Sequence, residues 1–208
     1  MDAAPKSRQA EVKAYKRQQI LDAAANLFRK NGLEGTTMRS IASAAGYSTG
    51  APYAYFQSKE EIYAELLFLS LGNLTKYVKV AHRASHSPTH IIRETFQAYF
   101  TYYRDHPEDL QLGLYLFSSG EVRKQGFSAE TNKLLNGRLM ALLGYMANTL
   151  LEHGHAPAQT AQIETLDAIS YFTGTLILQE TGRLSLFNAD PQEMIDRYIR
   201  QMLERIGT

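Results

Sequence analysis

Apolar residues recur at intervals of three and four along most of this chain, and that spacing constrains the fold more than any other feature. The interval matches the turn of an α-helix, so each set of apolar side chains shares one helical face. No segment of the sequence alternates apolar and polar residues in the way that a half-buried strand does. The pattern therefore predicts an all-α fold of about nine helices.

Helix-starting and helix-ending residues divide the first eighty or so positions into four of these helices. Serine and threonine side chains accept hydrogen bonds from free amides at a helix start, and glycine readily adopts the left-handed conformation at a helix end. The clearest signal is a capping box at residues 58–61, which opens a long helix ending near His82. The predicted starts are Thr37, Ser48 and Ser58, and the predicted ends are Gly32, Gly46 and Phe56.

The sequence beyond the long helix predicts five further helices. Pro88 fits a first helical position, where its missing amide loses no partner, and Pro107 marks a break. A second capping-box pattern begins at Asp190. The expected helices span residues 87–106, 108–117, 129–152, 158–181 and 190–206.

Residues 37–56 read TMRSIASAAGYSTGAPYAYF, a pattern typical of a helix-turn-helix. Two short helices would be joined by a tight turn at Gly46, and the small side chains of Ala42 and Ala44 would permit close packing. In such motifs the second helix presents its N-terminal end to the major groove of DNA. An ordinary helical hairpin has the same periodicity, so the spacing alone leaves both interpretations open.

Particular residues favour the DNA-binding interpretation. Residues 20–67 resemble the DNA-binding domain of the TetR (tetracycline-repressor) family, over about a quarter of the chain. The residues that carry the resemblance are Ala24, Leu27, Phe28, Gly32, Thr36, Thr37, Ile41, Ala42, Ala45, Gly46, Ser48, Gly50, Tyr53, Tyr55, Phe56, Ser58, Lys59 and Glu60.

The resemblance implies a three-helix domain with a helix-turn-helix, followed by a divergent helical domain that dimerises and binds a ligand. We therefore expect three parts in this chain. They are a basic flexible arm over residues 1–14, a DNA-binding domain over residues 15–58, and a ligand-binding and dimerisation domain over residues 59–208.

Polar groups around the motif define the expected DNA contact. A phosphate at the start of the long helix would meet both the Lys59 ammonium and free backbone amides. Thr37 can donate from its hydroxyl or amide, and Arg39 can reach a phosphate or a base edge. The Tyr53 and Tyr55 hydroxyls can bond phosphate oxygens, although Tyr55 also fits a core position. With the resemblance, the predicted DNA-binding residues are Thr37, Arg39, Ser48, Thr49, Gly50, Ala51, Pro52, Tyr53, Tyr55 and Lys59.

The segment from residue 49 to residue 56 departs from the family pattern in two places. Thr49 stands where the family often has lysine, and Pro52 stands where it usually has a larger aliphatic residue. The segment contains no Arg, Lys, Asn or Gln, so it cannot make the bidentate contacts that read guanine or adenine. We expect Thr49, Ala51 and Pro52 to contact thymine methyl groups, with help from Arg39 and from DNA shape.

Basic residues are concentrated at the N-terminal end. Residues 1–59 contain nine Lys or Arg against four Asp or Glu, whereas residues 60–208 contain thirteen against seventeen. Such an asymmetry suits contact of one end with a polyanion. The basic residues of the expected arm and its flank either reach a minor groove or flanking phosphates, or form a solvated tail. They are Lys6, Arg8, Lys13, Lys16 and Arg17.

The last two predicted helices carry broad apolar surfaces. Two copies of each would form a four-helix interface between chains, as in the family, and a dimer would present two recognition helices to a palindromic site. Packing within one chain is the alternative. The expected dimer-interface residues are Ile169, Phe172, Leu176, Tyr198 and Met202.

Aromatic residues are dense between residues 99 and 117. Rings with polar tips line apolar pockets well, and they also fill cores. The resemblance favours a pocket for a flat or elongated, mostly apolar effector. An effector that prefers one tilt of the long helix would change the spacing of the two recognition helices. The expected ligand-binding residues are Tyr99, Tyr103, Tyr115, Phe117 and Phe172.

These features together predict a regulator and not an enzyme. We expect a cytoplasmic homodimer, without a cofactor or a membrane partner, that binds a palindromic double-stranded DNA operator and is released by a small-molecule effector. The polar start and the absence of a long apolar run support this location. The alternative is a dimeric DNA-binding regulator without a small ligand, controlled by a protein partner.

Two short motifs suggest other chemistry. Residues 46–50 match Gly-x-Ser-x-Gly, the nucleophile elbow of α/β-hydrolases, but that elbow follows a strand and the sequence predicts a helix there. His82, His86 and His90 have a metal-like spacing, but Pro88 interrupts the helix between them. There is no cysteine to supply a thiolate ligand. We expect neither a hydrolase nor a metal site.

Overall fold

The computed structural model describes residues 8–82, 87–118 and 127–207, and for residues 116–118 it describes the backbone. Eight α-helices and two 3₁₀ helices lie within these residues, and no strand does, which confirms the all-α class. The α-helices are α1 Arg8–Asn31, α2 Met38–Ala44, α3 Lys59–Ala81, α4 Pro88–Asp105, α5 Pro107–Ser118, α6 Ala129–Gly154, α7 Ala158–Glu180 and α8 Pro191–Ile206. The 3₁₀ helices are Ala51–Ala54 and Leu184–Phe187.

The described residues contain eight α-helices against the expected nine, because the third helix of the N-terminal part is a single 3₁₀ turn. No described helix is long and apolar enough to cross a membrane.

The chain forms two compact units that do not follow the expected division at residue 58. Unit 1 comprises Met1–Leu69 and Gln111–Lys133, and unit 2 comprises Ser70–Leu110 and Leu134–Thr208. The first turns of α3 belong to unit 1 because their apolar side chains are buried there. The Tyr63 ring lies edge-on to the Phe28 ring of α1 with centroids 5.9 Å apart, and Ile62 is fully buried.

Helix α1 begins earlier than the sequence analysis expected. Its first residue is Arg8, so residues 8–14 are helical and are not part of a flexible arm. Between Arg8 and Asn31 the sequence has no glycine or proline and is rich in Ala, Gln, Lys and Arg, which are good helix formers. Residues 1–7, including Lys6, lie outside the described residues.

Glycine and threonine set the boundaries of α1 and α2 as predicted. Gly32 and Gly46 have φ values of 71° and 76°, the left-handed conformation that glycine adopts without strain. Thr37 caps α2 by accepting a hydrogen bond from the Ser40 amide at 3.0 Å. The Ser40 hydroxyl accepts in return from the Thr37 amide at 3.0 Å, which completes a capping box.

Unit 2 is built around the contacts of α4, α7 and α8. Helix α8 starts as predicted, because the Asp190 carboxylate accepts hydrogen bonds from the amides of Gln192 and Glu193 at 2.6 and 3.2 Å. Its apolar stripe is buried within the chain, and the same holds for the inner faces of α4 and α7. The fully buried side chains include Phe96, Phe100, Phe172, Ile195 and Ile199.

Candidate nucleic-acid interface

The segment that follows α2 is a turn with a short 3₁₀ helix and not the small α-helix expected from Thr49 to Phe56. The amide of Ala51 bonds the Ser48 carbonyl at 2.9 Å, and the amide of Tyr53 bonds the Gly50 carbonyl at 3.2 Å. Both bonds span three residues, and Gly50 precedes the segment without any side-chain cap. Pro52 lies in the first turn, where its missing amide hydrogen loses no helical partner. The predicted cap by Ser48 is wrong.

The segment Ser48–Tyr55 exposes some of its predicted DNA-binding side chains and buries another. Ser48, Thr49 and Gly50 are exposed, and the Tyr53 side chain is 57% exposed. Ala51 and Tyr55 are half-buried. Pro52 is buried and serves as an anchor, so the prediction that it contacts a thymine methyl group is wrong.

A second anchor of this segment is Phe56, which is only 2% exposed. Its amide bonds the Pro52 carbonyl at 3.0 Å. The guanidinium of Arg17 lies over the Phe56 ring, 4.7 Å from the ring centroid, and donates to Glu65 of α3 at 3.1 Å. Sequence reasoning placed Arg17 beside a flexible arm and missed this role. For Phe56 the sequence offers one signal, its interval of four residues from Pro52, which would place the two side chains on one helical face.

The two residues at the start of α2 differ in what they offer to DNA. Thr37 is exposed, but its amide donates to Ser40 at 3.0 Å, and its hydroxyl lies 3.2 Å from the same oxygen. A phosphate would have to compete with that capping box for both donors. Arg39 is exposed on the first turn of α2. Arg39 is therefore the better candidate for a contact with phosphate or a base edge.

Lys59 begins α3, where the helix dipole and free amides favour an anion. Its ammonium donates to the Leu33 carbonyl of the α1–α2 loop at 2.8 Å. The predicted cap is present, because Ser58 accepts from the Glu61 amide at 3.2 Å. The Glu61 carboxylate accepts from the Gln57 amide at 2.5 Å, one residue earlier than in the expected capping box.

Three of the predicted ligand-binding residues lie together in unit 2. The Tyr99 ring is 5.1 Å from the Tyr103 ring and 6.5 Å from the Phe172 ring, and the Tyr99 hydroxyl is 3.1 Å from the Thr173 hydroxyl. Burial raises the pKa of Tyr99 to about 12 and raises the pKa of Tyr103 as well. Tyr115 belongs to unit 1.

The remaining predicted ligand residue, Phe117, has a side chain outside the described residues.

Tyr115 uses its hydroxyl oxygen to accept hydrogen bonds from the amides of Leu33 and Glu34, at 3.0 and 3.4 Å. Sequence reasoning did not find this contact, since the partners lie 82 and 81 positions apart.

The predicted dimer residues fall into two groups, since three are buried within a single chain and two are half-buried. Phe172, Leu176 and Met202 are 0%, 3% and 0% exposed, so their assignment to a surface between chains is wrong. Their apolar groups fill the core of unit 2. Ile169 and Tyr198 are half-buried, and the Tyr198 ring stacks on the Tyr171 ring with centroids 4.7 Å apart.

The structure gives no support to the two competing motifs. Ser48 of the Gly-x-Ser-x-Gly match follows a helix and not a strand, among residues that are all described. His82 pairs with the Tyr145 hydroxyl at 2.5 Å, and His90 pairs with Glu94 at 2.9 Å. No group of three His, Asp or Glu side chains within the described residues is arranged to hold a metal, and His86 lies outside them.

The geometry defines a class of protein. A capped helix, a glycine turn and an exposed short helix, with a lysine at the start of the next helix, form a helix-turn-helix in an all-α chain. Comparison with known proteins gives the same result, since residues 20–66 match the family model described as bacterial regulatory proteins, tetR family. The chain therefore resembles the regulators of the tetR family over residues 20–66.

Individual relatives match mainly through the N-terminal part. The HTH-type transcriptional repressor KstR2 of Rhodococcus jostii (strain RHA1) is 43% identical over 63 residues, covering 30% of this chain and 31% of that protein. The uncharacterised HTH-type transcriptional regulator YerO of Bacillus subtilis (strain 168) is 29% identical over 62% of this chain and 47% of that protein. The matches therefore span about a third to a half of these relatives.

A solved structure extends the likeness to nearly the whole chain. The TetR family transcriptional regulator PfmR from Thermus thermophilus has a TM-score of 0.67 and 22% identity, covering 90% of this chain and 95% of that one. At this identity the match shows a shared fold.

Proposed function

We propose that this chain is a homodimeric, sequence-specific regulator of transcription that binds a palindromic DNA operator and acts as a repressor. The observation that carries the proposal is that one short segment has both exposed and buried side chains. Thr49, Gly50 and Tyr53 are exposed, whereas Pro52 and Phe56 are buried and hold the segment in place. Rigidly held, exposed groups at the start of a short helix suit entry into a major groove.

Charge supports contact with DNA at this end of the molecule. The first 59 residues carry an excess of five positive charges, with nine Lys or Arg against four Asp or Glu. Arg39 at the start of α2 and Lys59 at the start of α3 flank the exposed segment in sequence, and phosphates on either side of a groove are their natural partners.

The exposed segment favours readout of thymine over guanine. Its exposed groups include the Thr49 side chain, the Gly50 backbone and the Tyr53 ring. Apolar contacts with the thymine methyl group are open to them, and bidentate contacts with guanine are not. Arg39 and the shape of the DNA supply the remaining discrimination.

A face of α7 supports dimerisation. Ile163, Leu166 and Ile177 are 52%, 59% and 37% exposed, and they are spaced by three and eleven residues, which places them on one helical face. An exposed apolar stripe at this spacing is typical of a helix that packs against a partner helix. Half-buried Ile169 and Tyr198 remain candidates for the edge of the interface.

An apolar effector would bind beside the buried cluster of Tyr99, Tyr103 and Phe172. The centroid of the Tyr99 ring lies 5.1 Å from that of Tyr103 and 6.5 Å from that of Phe172. The Tyr99 hydroxyl adds one polar group. A bound effector that prefers one position of α3 would change how Lys59 meets DNA. A coupling free energy of about 1–3 kcal/mol, which is usual for such regulators, corresponds to a 5–150-fold change in affinity.

Selection of binding sites from random duplex DNA tests the DNA-binding proposal. The proposal predicts an enriched two-fold symmetric sequence whose half-sites lie about one helical turn apart, or a multiple of it. A matched selection with Thr49→Ala is expected to relax preference at one symmetric pair of positions. Failure to enrich any sequence, or a required guanine facing Thr49, contradicts the proposal.

Release of the enriched duplex tests the effector. Aromatic and aliphatic compounds that raise the Tm of the protein are expected to lower its affinity for the labelled duplex. Compounds that bind without changing DNA affinity contradict an effector role. Regulation by a protein partner is then the account that remains.

A further inference from the structure

The backbone of Leu33, in the loop between α1 and α2, is held from two sides within unit 1. Its amide donates to the Tyr115 hydroxyl oxygen at 3.0 Å, and its carbonyl accepts from the Lys59 ammonium at 2.8 Å. The next amide, of Glu34, also points at the Tyr115 oxygen, at 3.4 Å. One buried residue therefore joins the last turns of α5 to the lysine at the start of α3.

The Tyr115 ring is itself fixed by packing in unit 1. It lies 5.7 Å from the Tyr63 ring of α3, centroid to centroid. The Tyr63 hydroxyl donates to the Leu112 carbonyl, three residues before Tyr115 on α5. Two phenols thus bond residues 111–118 to the N-terminal part of the unit, so the Tyr115 oxygen has a defined position.

We propose that Tyr115 is a positioning residue for DNA binding. Its hydroxyl fixes the Leu33 backbone, the Leu33 carbonyl orients the Lys59 ammonium, and Lys59 contacts phosphate. This inference rests on the proposed DNA-binding function. It also names a route for regulation within unit 1, where α5 ends. A shift of α5 reaches Leu33 through the Tyr115 oxygen.

A lysine needs such orientation because its four-carbon side chain is flexible. An ammonium without a fixed acceptor samples many rotamers, and ordering it on a phosphate costs conformational entropy. The Leu33 carbonyl accepts from one of the three ammonium donors and so fixes the direction in which the side chain extends. Loss of the Tyr115 hydroxyl is expected to loosen the carbonyl and to weaken the phosphate contact while the fold is kept.

The test is the Tyr115→Phe variant, measured on the duplex that the wild-type chain enriches, over a series of salt concentrations. Loss of one hydrogen bond predicts an affinity that is lower by roughly 3- to 10-fold. If Lys59 loses its phosphate, the slope of log affinity against log salt becomes shallower by up to about 0.9. In a Lys59→Ala background, Tyr115→Phe is expected to cause no further loss.

Tyr102→Phe is the control, since it also removes a hydrogen-bonded hydroxyl, in this case the one that donates to Asp109 within unit 2. It is expected to keep wild-type affinity and salt slope. Hydrogen exchange of the Leu33 and Glu34 amides, compared between wild type and Tyr115→Phe, is expected to speed up in the variant.

Three results overturn the inference. The first is wild-type affinity and slope in Tyr115→Phe, and the second is a loss that adds fully to that of Lys59→Ala with an unchanged slope, which indicates a general structural role. The third is unchanged exchange of the Leu33 amide. If the wild-type chain enriches no duplex, the proposed function has failed, and the inference about DNA falls with it.

Discussion

The Glu164 carboxylate on α7 accepts two hydrogen bonds from the Arg205 guanidinium on α8, at 2.8 and 2.7 Å. The pair is asymmetric, because the Glu164 side chain is 10% exposed and the Arg205 side chain is 45% exposed. The Arg205 guanidinium also lies over the Tyr198 ring, 5.4 Å from its centroid. The last helix is therefore joined to α7 by charge as well as by its buried apolar stripe.

Removing the two partners is expected to have unequal effects on stability. Arg205→Met leaves a buried carboxylate without its cation and is expected to lower the free energy of unfolding by about 2 kcal/mol, less than for a fully buried pair because Arg205 is partly solvated. Glu164→Gln leaves a solvated guanidinium and is expected to cost about 1 kcal/mol. Urea denaturation measures both, and a larger loss for Glu164→Gln would show that this account of the pair is wrong.

Substitutions in the segment after α2 are expected to separate DNA affinity from stability. Thr49→Ala and Tyr53→Ala remove exposed groups, so each is expected to weaken operator binding by roughly 5- to 100-fold, equivalent to about 1–3 kcal/mol, with Tm unchanged. Pro52→Gly removes a buried anchor and is expected to lower both affinity and Tm. Fluorescence anisotropy and thermal unfolding measure the two quantities. A fall in Tm for Thr49→Ala would contradict its placement at the surface.

This segment also shows where sequence reasoning stops. The capping residue Thr37 and the left-handed Gly32 and Gly46 follow from local chemistry, and the structure has all three. Whether Pro52 faces solvent or the core depends on contacts with distant residues, and the sequence alone placed it on the wrong side. Local spacing shows which residues share a helical face, but it does not show what that face packs against. The exposed and buried sides of a single turn therefore could not be distinguished from the sequence.

The same argument explains the errors in the expected dimer interface. The broad apolar stripes on the last two helices predict surfaces between chains, but Phe172, Leu176 and Met202 are buried within one chain. Helical periodicity is identical for burial within a chain and burial between chains. The hydrogen bond between Tyr115 and Leu33 could not be predicted either, since a contact 82 positions away leaves no local pattern.

A charged substitution on the exposed face of α7 is expected to separate the dimer. Leu166→Glu places a carboxylate at a side chain that is 59% exposed, where two α7 helices would meet, and it is expected to give the mass of a single chain, 23.4 kDa. Leu186→Glu changes a more exposed leucine, at 77%, on the second 3₁₀ helix, and is expected to leave the dimer intact. Light scattering after size-exclusion chromatography measures the masses. A dimer in Leu166→Glu, or a monomer in both variants, contradicts the assignment of this face.

Buried tyrosines are expected to make the protein sensitive to alkali. Burial raises the pKa of Tyr99 from its ordinary value of 10.0 to about 12 in the folded chain. Between these pH values the unfolded chain releases a proton that the folded chain keeps, so stability falls as pH rises from about 10 to about 12. Tyr99→Phe removes this contribution and is expected to show a shallower fall.

Phenolate absorbance measures the same property directly. A second group of tyrosines is expected to titrate at higher pH, because the pKa of Tyr63, Tyr102 and Tyr103 is also raised by burial. The second group should ionise only as the chain unfolds. A single titration near pH 10 with the fold intact would show that these phenols are solvated.

Photocrosslinking from position 53 tests the central claim most directly, since that claim places the exposed face of the segment after α2 against DNA. Benzoylphenylalanine at Tyr53 is expected to crosslink to the enriched duplex, at thymines in the major groove. The same group at Phe187, whose side chain is more exposed at 81% against 57%, is expected not to crosslink. Crosslinking from position 187 without crosslinking from position 53 would contradict the account.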